Sequence, residues 1–188
     1  MTRLSVIVPV LNEERVLGQR IAELEALGVG EIIVADGGSS DGTRAVASAH
    51  PNVRLVSAPR GRATQMNAGA ALATGDVLLF LHADVALPGD AVSQIERALA
   101  DPTVVGGALR TWTVADRPTR LGPLLHCDPA ARARAFRELG GFPPIPLMED
   151  LALSRLLGKA GRVRVVPARV RVSGRRFIER PVFYEAVR

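Results

Sequence analysis

Asp36 and Asp84 are the carboxylates whose placement invites chemistry, because each follows an apolar run: Ile32-Ile33-Val34-Ala35, and Val77 to Leu81 with His82-Ala83 intervening. If both runs are strands of a parallel sheet, the two side chains converge at its carboxyl edge, where such sheets bind ligands. A carboxylate there can accept hydrogen bonds from an imide or hydroxyl, or hold a divalent ion together with phosphate oxygens. Taken singly, an Asp followed by glycines, as in Asp36-Gly37-Gly38, is a common turn former. Arg60 and Arg62 precede a helical stretch, where an arginine fork and a helix N-terminus together suit a diphosphate. Solvated surface arginines are as ordinary a reading. Glu149-Asp150 opens a helix behind the stiff stretch Pro143-Pro144-Ile145-Pro146, and acidic residues are favoured at a helix start by the dipole alone.

The elements that must position these residues alternate. Leu4 to Val10 reads as a strand buried on both faces. The next helix has Asn12 as its cap and Val16, Leu17, Ile21, Leu24 and Leu27 at helical spacing, and ends at Gly28. A strand over Glu31–Ala35 follows, then a helix capped by Ser40 or Asp41 and running to Ala49. Next come a strand at Val53–Val56, a helix over Gly61–Ala73, a strand over Val77–Leu81, a helix over Asp90–Ala100 and a strand over Val104–Leu109. This alternation predicts βαβ crossovers and a mostly parallel α/β sheet flanked by helices. Beyond it, the sequence predicts a surface excursion over 111–127, a helix over Pro129–Leu139 ended by Gly140-Gly141, a helix from Glu149 to Lys159, and an exposed or edge strand over Val163–Val172.

Composition bounds the chain without choosing its chemistry. The 188 residues, 47% hydrophobic and 23% charged, are those of one ordinary globular domain. The net charge is +5, and Lys159 is the sole lysine, so arginine carries the basic charge. Cys127 is the sole cysteine, which rules out an intrachain disulfide and suits a reducing cytoplasm. The N-terminus reads as a first strand rather than a signal peptide. No apolar run approaches the roughly 20 residues of a membrane-spanning helix, which leaves peripheral membrane contact. Trp112 and Tyr184 are each alone of their type and the arginines are scattered, which argues against nucleic acid.

Two stretches carry a family resemblance. Ser5-Val6-Ile7-Val8-Pro9-Val10-Leu11-Asn12-Glu13-Glu14 and Ile32 to Thr43, with its Asp36-Gly37-Gly38-Ser39-Ser40-Asp41-Gly42, resemble the opening of the family 2 glycosyltransferases of GT-A fold. The likeness continues through Arg60-Gly61-Arg62, Met66-Asn67-Ala68-Gly69, Gly75-Asp76, Gly140-Gly141-Phe142 and Glu149-Asp150. His82-Ala83-Asp84 occupies the place of the family's metal-binding Asp-x-Asp, with His82 for the first Asp, as in radical-SAM/selenodomain-associated transferases.

The resemblance implies a nucleotide-sugar site built by Pro9, Asn12, Glu13, Asp36, Arg60, Arg62, Asn67 and Asp84. It implies a Mg²⁺ or Mn²⁺ ion at Asp84, with His82 as second ligand or hydrogen-bonding residue. It further implies a general base in Glu149-Asp150, most often at the position of Asp150. The activity implied is inverting transfer, hexosyltransferase in type, from a nucleoside diphosphate sugar to a hydroxyl acceptor that lipid-linked alcohols would satisfy. Residues 1–110 then form the donor half and 111–188 an acceptor half shorter than its relatives', where His126-Cys127-Asp128-Pro129 is a weak echo of a Tyr-Gly-Asp-Gln-like element. The arginines from Arg162 to Arg180 suit an anionic membrane surface or a solvated face. Two alternatives stand beside this: a non-catalytic nucleotide-sugar-binding or scaffolding protein, and a nucleotidyltransferase. The latter normally carries a basic glycine-rich loop after its first strand, where Val10-Leu11-Asn12-Glu13 is acidic.

Overall fold

The computed structural model describes residues 3–114, 129–145 and 148–173. The order along the chain is β1 (Leu4–Val10), α1 (Glu14–Ala26), β2 (Glu31–Asp36), α2 (Thr43–Ser48), β3 (Val53–Ser57), α3 (Arg62–Leu72), β4 (Val77–Phe80) and β5 (Val85–Ala86). It continues with α4 (Ala91–Ala98), β6 (Val104–Val114), β7 (Pro129–Arg132), α5 (Ala133–Glu138), α6 (Glu149–Ala160) and β8 (Arg162–Ser173). The strands form one sheet in the order β3-β2-β1-β4-β7-β6-β8-β5. β3, β2, β1 and β4 are mutually parallel, while β7 runs antiparallel to both β4 and β6.

The period-2 alternation of β1 explains the layering. Leu4, Val6, Val8 and Val10 enter one core with Leu17, Ile21 and Leu24 of α1, Ala47 of α2 and Ile95 of α4. Ile7 enters the other with Ala63, Met66 and Ala70 of α3, Phe136 of α5, and Leu153 and Leu157 of α6. A strand buried on both faces needs a near-continuous apolar run, which is what the sequence supplies. Helix α3 lies close on β1: a Cβ at Gly69 would stand 2.5 Å from Ile7 Cγ2, so any larger residue there would push the helix off the sheet.

Three expectations change. Pro129–Leu139 is not one helix but the strand β7 followed by α5. Ala130 and Ala131 favour helix intrinsically, but they pair with Leu79 and Leu78 of β4 and with Gly107 and Gly106 of β6, and tertiary pairing outweighs a propensity worth less than about 1 kcal/mol per residue. The strand expected at Val104–Leu109 runs on to Val114, beside β8. β8 itself is second from the edge, because the two-residue β5 pairs with Arg171 and Val172 only. Among the described residues its earlier part has no strand on that side, with Val165 71% exposed and Val166, Ala168 and Val170 buried. The rest of the excursion, the His126-Cys127-Asp128 echo and the arginines beyond 173 lie outside the described residues.

Candidate active site at the carboxyl edge

Because β2, β1 and β4 are adjacent and parallel, the chain leaves all three at one edge. The loops after β1 and β2 are laced together there. Asn12 takes a left-handed backbone, φ 56°. Its N–H donates to Ser39 Oγ (2.9 Å) and its Oδ1 accepts the Ser40 N–H (2.9 Å). Glu13 N–H donates to Thr43 Oγ1 (2.8 Å), Glu14 N–H to Asp41 Oδ2 (3.3 Å), and Gly42 N–H to Glu14 Oε2 (2.7 Å). Asn12 therefore does not cap α1, whose N-cap position is Glu13; it braces the second loop instead. Asp41 does serve α2, accepting the Thr43 N–H from one position outside the N-cap Gly42.

Asp36, which the sequence puts at the carboxyl edge of a strand, is fully buried. Its Oδ1 accepts the Ser39 N–H (3.1 Å), and Arg44 donates to its Oδ2 (2.9 Å) and to Ser57 Oγ (2.7 Å). Burial alone would raise this carboxyl, but hydrogen bonds from Ser39 and Arg44, with the backbone N–H groups of Ser39 and Gly38, outweigh it and hold the group below the ordinary carboxylate range. The exposed face of the arrangement is thus Arg44, about half exposed, resting on a buried anion. Asp36→Ala is expected to remove that anchor. The nucleotide binding that the sequence leads one to expect should then weaken through the loosened loop, by up to about 1.5–3 kcal/mol, the size of the hydrogen bond to a charged group that Arg44 loses, and calorimetry showing unchanged affinity would refute that expectation. Melting should be lowered too, since Arg44 loses its buried partner.

Across β1, the chain turns sharply after β4. Leu81 N–H donates to Ile7 O (3.0 Å) and Val85 N–H to His82 O (3.0 Å). His82 and Asp84, both largely buried, thereby stand on one turn tied at its far side to β8 through Val85. Arg20, a buried arginine on the apolar side of α1, donates to Ala83 O (3.2 Å) and pairs with Glu23. Among the described residues no group of three or more His, Cys, Asp or Glu is placed to hold a metal. Two donors on one turn do not make a protein-only cage. They fit a divalent cation that takes its remaining ligands from phosphate oxygens and water, as Mg²⁺ commonly does.

α3 and α6 share one apolar cluster and are joined by an ion pair. Arg62, in the first turn of α3, places Nε 3.3 Å from Glu149 Oε1. Glu149 is 2% exposed while the Arg62 side chain is 42% exposed. Arg60 is exposed in the preceding turn. Asn67, grouped by sequence with the nucleotide-sugar residues, has a different partner: its Nδ2 donates to Phe142 O and its Oδ1 accepts the Phe142 N–H, both at 2.9 Å. Phe142 also packs edge-on against Phe80 of β4, with centroids 4.7 Å apart, and against Phe136. Asn67 and the three rings fix the Gly140–Phe142 turn. Met148, at the N-cap of α6 with φ 65°, then starts the helix with Glu149 turned inward and Asp150 half-buried. Asp150 Oδ1 accepts the Leu151 N–H (2.9 Å).

The sequence did not single out Arg20 or Arg44, which the structure places against Ala83 O and Asp36. Arg20 was legible as a charged residue within the stripe Leu17, Ile21, Leu24. Arg44 is the one arginine in the segment that follows Asp36 before β3. The arginines suggested for an anionic surface are partly committed, since Arg162 and Arg164 lie 3.2 and 3.6 Å from Asp101 Oδ2. No helix among the described residues is long and apolar enough to cross a membrane.

Comparison with known proteins bears on this edge. The family model described as Glycosyl transferase family 2 matches residues 5–143. Glucosyl-3-phosphoglycerate synthase of Mycolicibacterium smegmatis is 32% identical over 143 residues, which are 70% of this chain and 39% of that protein. The chain thus spans well under half of this curated relative. Among solved structures, a mannosyltransferase from Pyrobaculum calidifontis in complex with GDP-Man and Mn²⁺ superposes with a TM-score of 0.73 at 24% identity, covering 89% of this chain and 56% of that one. Glucosyl-3-phosphoglycerate synthase from Mycobacterium tuberculosis, in complex with Mn²⁺, UDP and glucosyl-3-phosphoglycerate, gives 0.67 at 21%, covering 92% and 70%. S. aureus TarS with UDP-GlcNAc gives 0.73 at 17%, covering 91% and 58%. The shared architecture is the GT-A fold.

Proposed function

The chain belongs to glycosyl transferase family 2, and from that premise we propose that it transfers a sugar, with inversion at the anomeric carbon, from a nucleoside diphosphate sugar to a hydroxyl acceptor. The observation that carries the proposal is the convergence of four exits at one sheet edge: the two laced loops around Asn12 and Asp36, the Asp84 turn, and the start of α3 with Arg60 and Arg62. The first pair of loops suits a nucleoside and the last two a diphosphate. His82 in place of an Asp supports, within the family, the radical-SAM/selenodomain-associated transferase subgroup. Residues 1–110 serve the donor and 111–188 the acceptor within one domain, which we place in the cytoplasm on the strength of its lone Cys127.

In this reading Asp150 accepts the proton of the acceptor hydroxyl as that oxygen attacks the anomeric carbon on the side opposite the departing diphosphate. Arg60 and Arg62 and the N-terminus of α3 face the negative charge that grows on the leaving group. A divalent cation held by Asp84, with His82 beside it, supplies further neutralisation of that charge when bound. Glu149 has a different part, since its burial and its Arg62 partner make it the strut between α3 and α6.

The relatives' printed ligands direct the first test. UDP-, GDP- and dTDP-sugars are screened by thermal shift with and without Mn²⁺. At about 100 times Kd a bound donor adds about 2.7 kcal/mol of stability, so at least one donor is expected to raise the melting temperature, and more so with the ion. No shift from any of them overturns the proposal. A shift without release of nucleoside diphosphate favours a donor-binding protein that lacks transfer.

A further inference from the structure

We propose that Gln65 is the positioning residue that sets the nucleoside wall of this pocket, an inference that rests on the donor-site reading above. Gln65 lies in α3, 4% exposed, where a long polar side chain against a sheet needs partners. Its Nε2 donates to Val10 O and to Ala35 O, both at 2.8 Å. Those carbonyls lie at the ends of β1 and β2, where the ladder is running out: Val10 pairs with Asp36, and Gly37 N–H donates to Val10 O (3.0 Å). One amide nitrogen thus ties together the last turns of two neighbouring strands.

Asp36 is bracketed by this arrangement. On one side Ala35 is bonded directly to Gln65. On the other, a Cβ added to Gly37 would stand 2.9 Å from Gln65 Cδ and Oε1 and 3.0 Å from Nε2. Gly37 is not among the glycines with positive φ, so Gln65, not backbone strain, keeps residue 37 small. Gln65 Oε1 also accepts the Gly61 N–H, at a long 3.4 Å, which reaches toward the Arg60–Arg62 turn. Substitution by Met fills the space but leaves the Ala35 carbonyl without that donor; substitution by Glu sets an anion against two carbonyl oxygens.

The test measures binding of UDP, GDP, dTDP, their nucleosides and pyrophosphate to the full chain by calorimetry. Gln65→Met is expected to weaken the nucleotide, and its nucleoside to the same extent, by about tenfold or more, the scale of one lost buried hydrogen bond, while pyrophosphate affinity stays within about twofold. Gly37→Ala, which keeps the amide and only displaces it, is expected to do likewise in the wild-type background and to cost nothing further in Gln65→Ala, because contacting residues couple. Should Gln65→Met fail to fold, Gly37→Ala decides alone. Unchanged nucleoside affinity, an equal loss for pyrophosphate, or additive costs in the double variant would overturn the inference while leaving the donor site standing. Failure of UDP, GDP and dTDP alike to bind the wild type overturns the donor reading and this inference with it.

Discussion

Asp150→Asn is expected to lower sugar transfer by about 10²–10⁴-fold, the usual worth of a general base, while donor affinity hardly changes. An alcohol attacks slowly until its proton has somewhere to go, and the substitution keeps the size of the side chain while removing its basicity. The structure supports Asp150 over its neighbour. Glu149 is buried against Arg62, whereas Asp150 is partly open and uses Oδ1 on the Leu151 N–H, which leaves Oδ2 without a hydrogen bond among the described residues. The left-handed Met148 fixes where the helix begins, so geometry is set before chemistry starts. Steady-state transfer and donor calorimetry on the same preparation separate the outcomes. If both fall together, Asp150 supports the fold or the donor site; if neither falls, the proton goes elsewhere.

The second large effect is expected at Asp84. Asp84→Asn should reduce turnover by about 10²-fold or more and abolish the gain in donor affinity that Mn²⁺ brings, since a cation contributes several kcal/mol to a departing diphosphate. A chelator should reproduce the loss in the wild type and add little in the variant. His82→Ala is the informative companion: a ligand role predicts a weaker metal midpoint, and a hydrogen-bonding role leaves that midpoint alone. Full activity of Asp84→Asn, or of wild type in a chelator, would remove the cation from the account.

The parallel part of the sheet, β1 to β4, was legible because its signals are local. The apolar run of β1, the helical stripe of α1 and the Gly-rich turn after Asp36 each fix an element within a dozen residues, and adjacency of parallel strands then gathers the loops. What was not legible depends on partners far away in the chain. Pro129–Arg132 looks helical alone and becomes a strand only between β4 and β6. Asn67 carries a family position, yet its amide belongs to Phe142, 75 residues on. Asp36 reads singly as a turn former until Arg44 is seen to pair with it. Gln65 sits on an alanine-rich helix with nothing in its neighbours to mark the two carbonyls, 55 and 30 residues earlier, that it joins.

The most direct measurement is a crystal structure of the chain soaked with the nucleoside diphosphate that binds best, together with Mn²⁺. The account expects the base and ribose against the Asn12 and Asp36 loops, the diphosphate between Asp84 and the start of α3 with Arg62 turned to it, and the ion on Asp84. Nucleotide density away from the carboxyl edge of β2, β1 and β4, or at that edge with neither Asp84 nor Arg62 in contact, would contradict it.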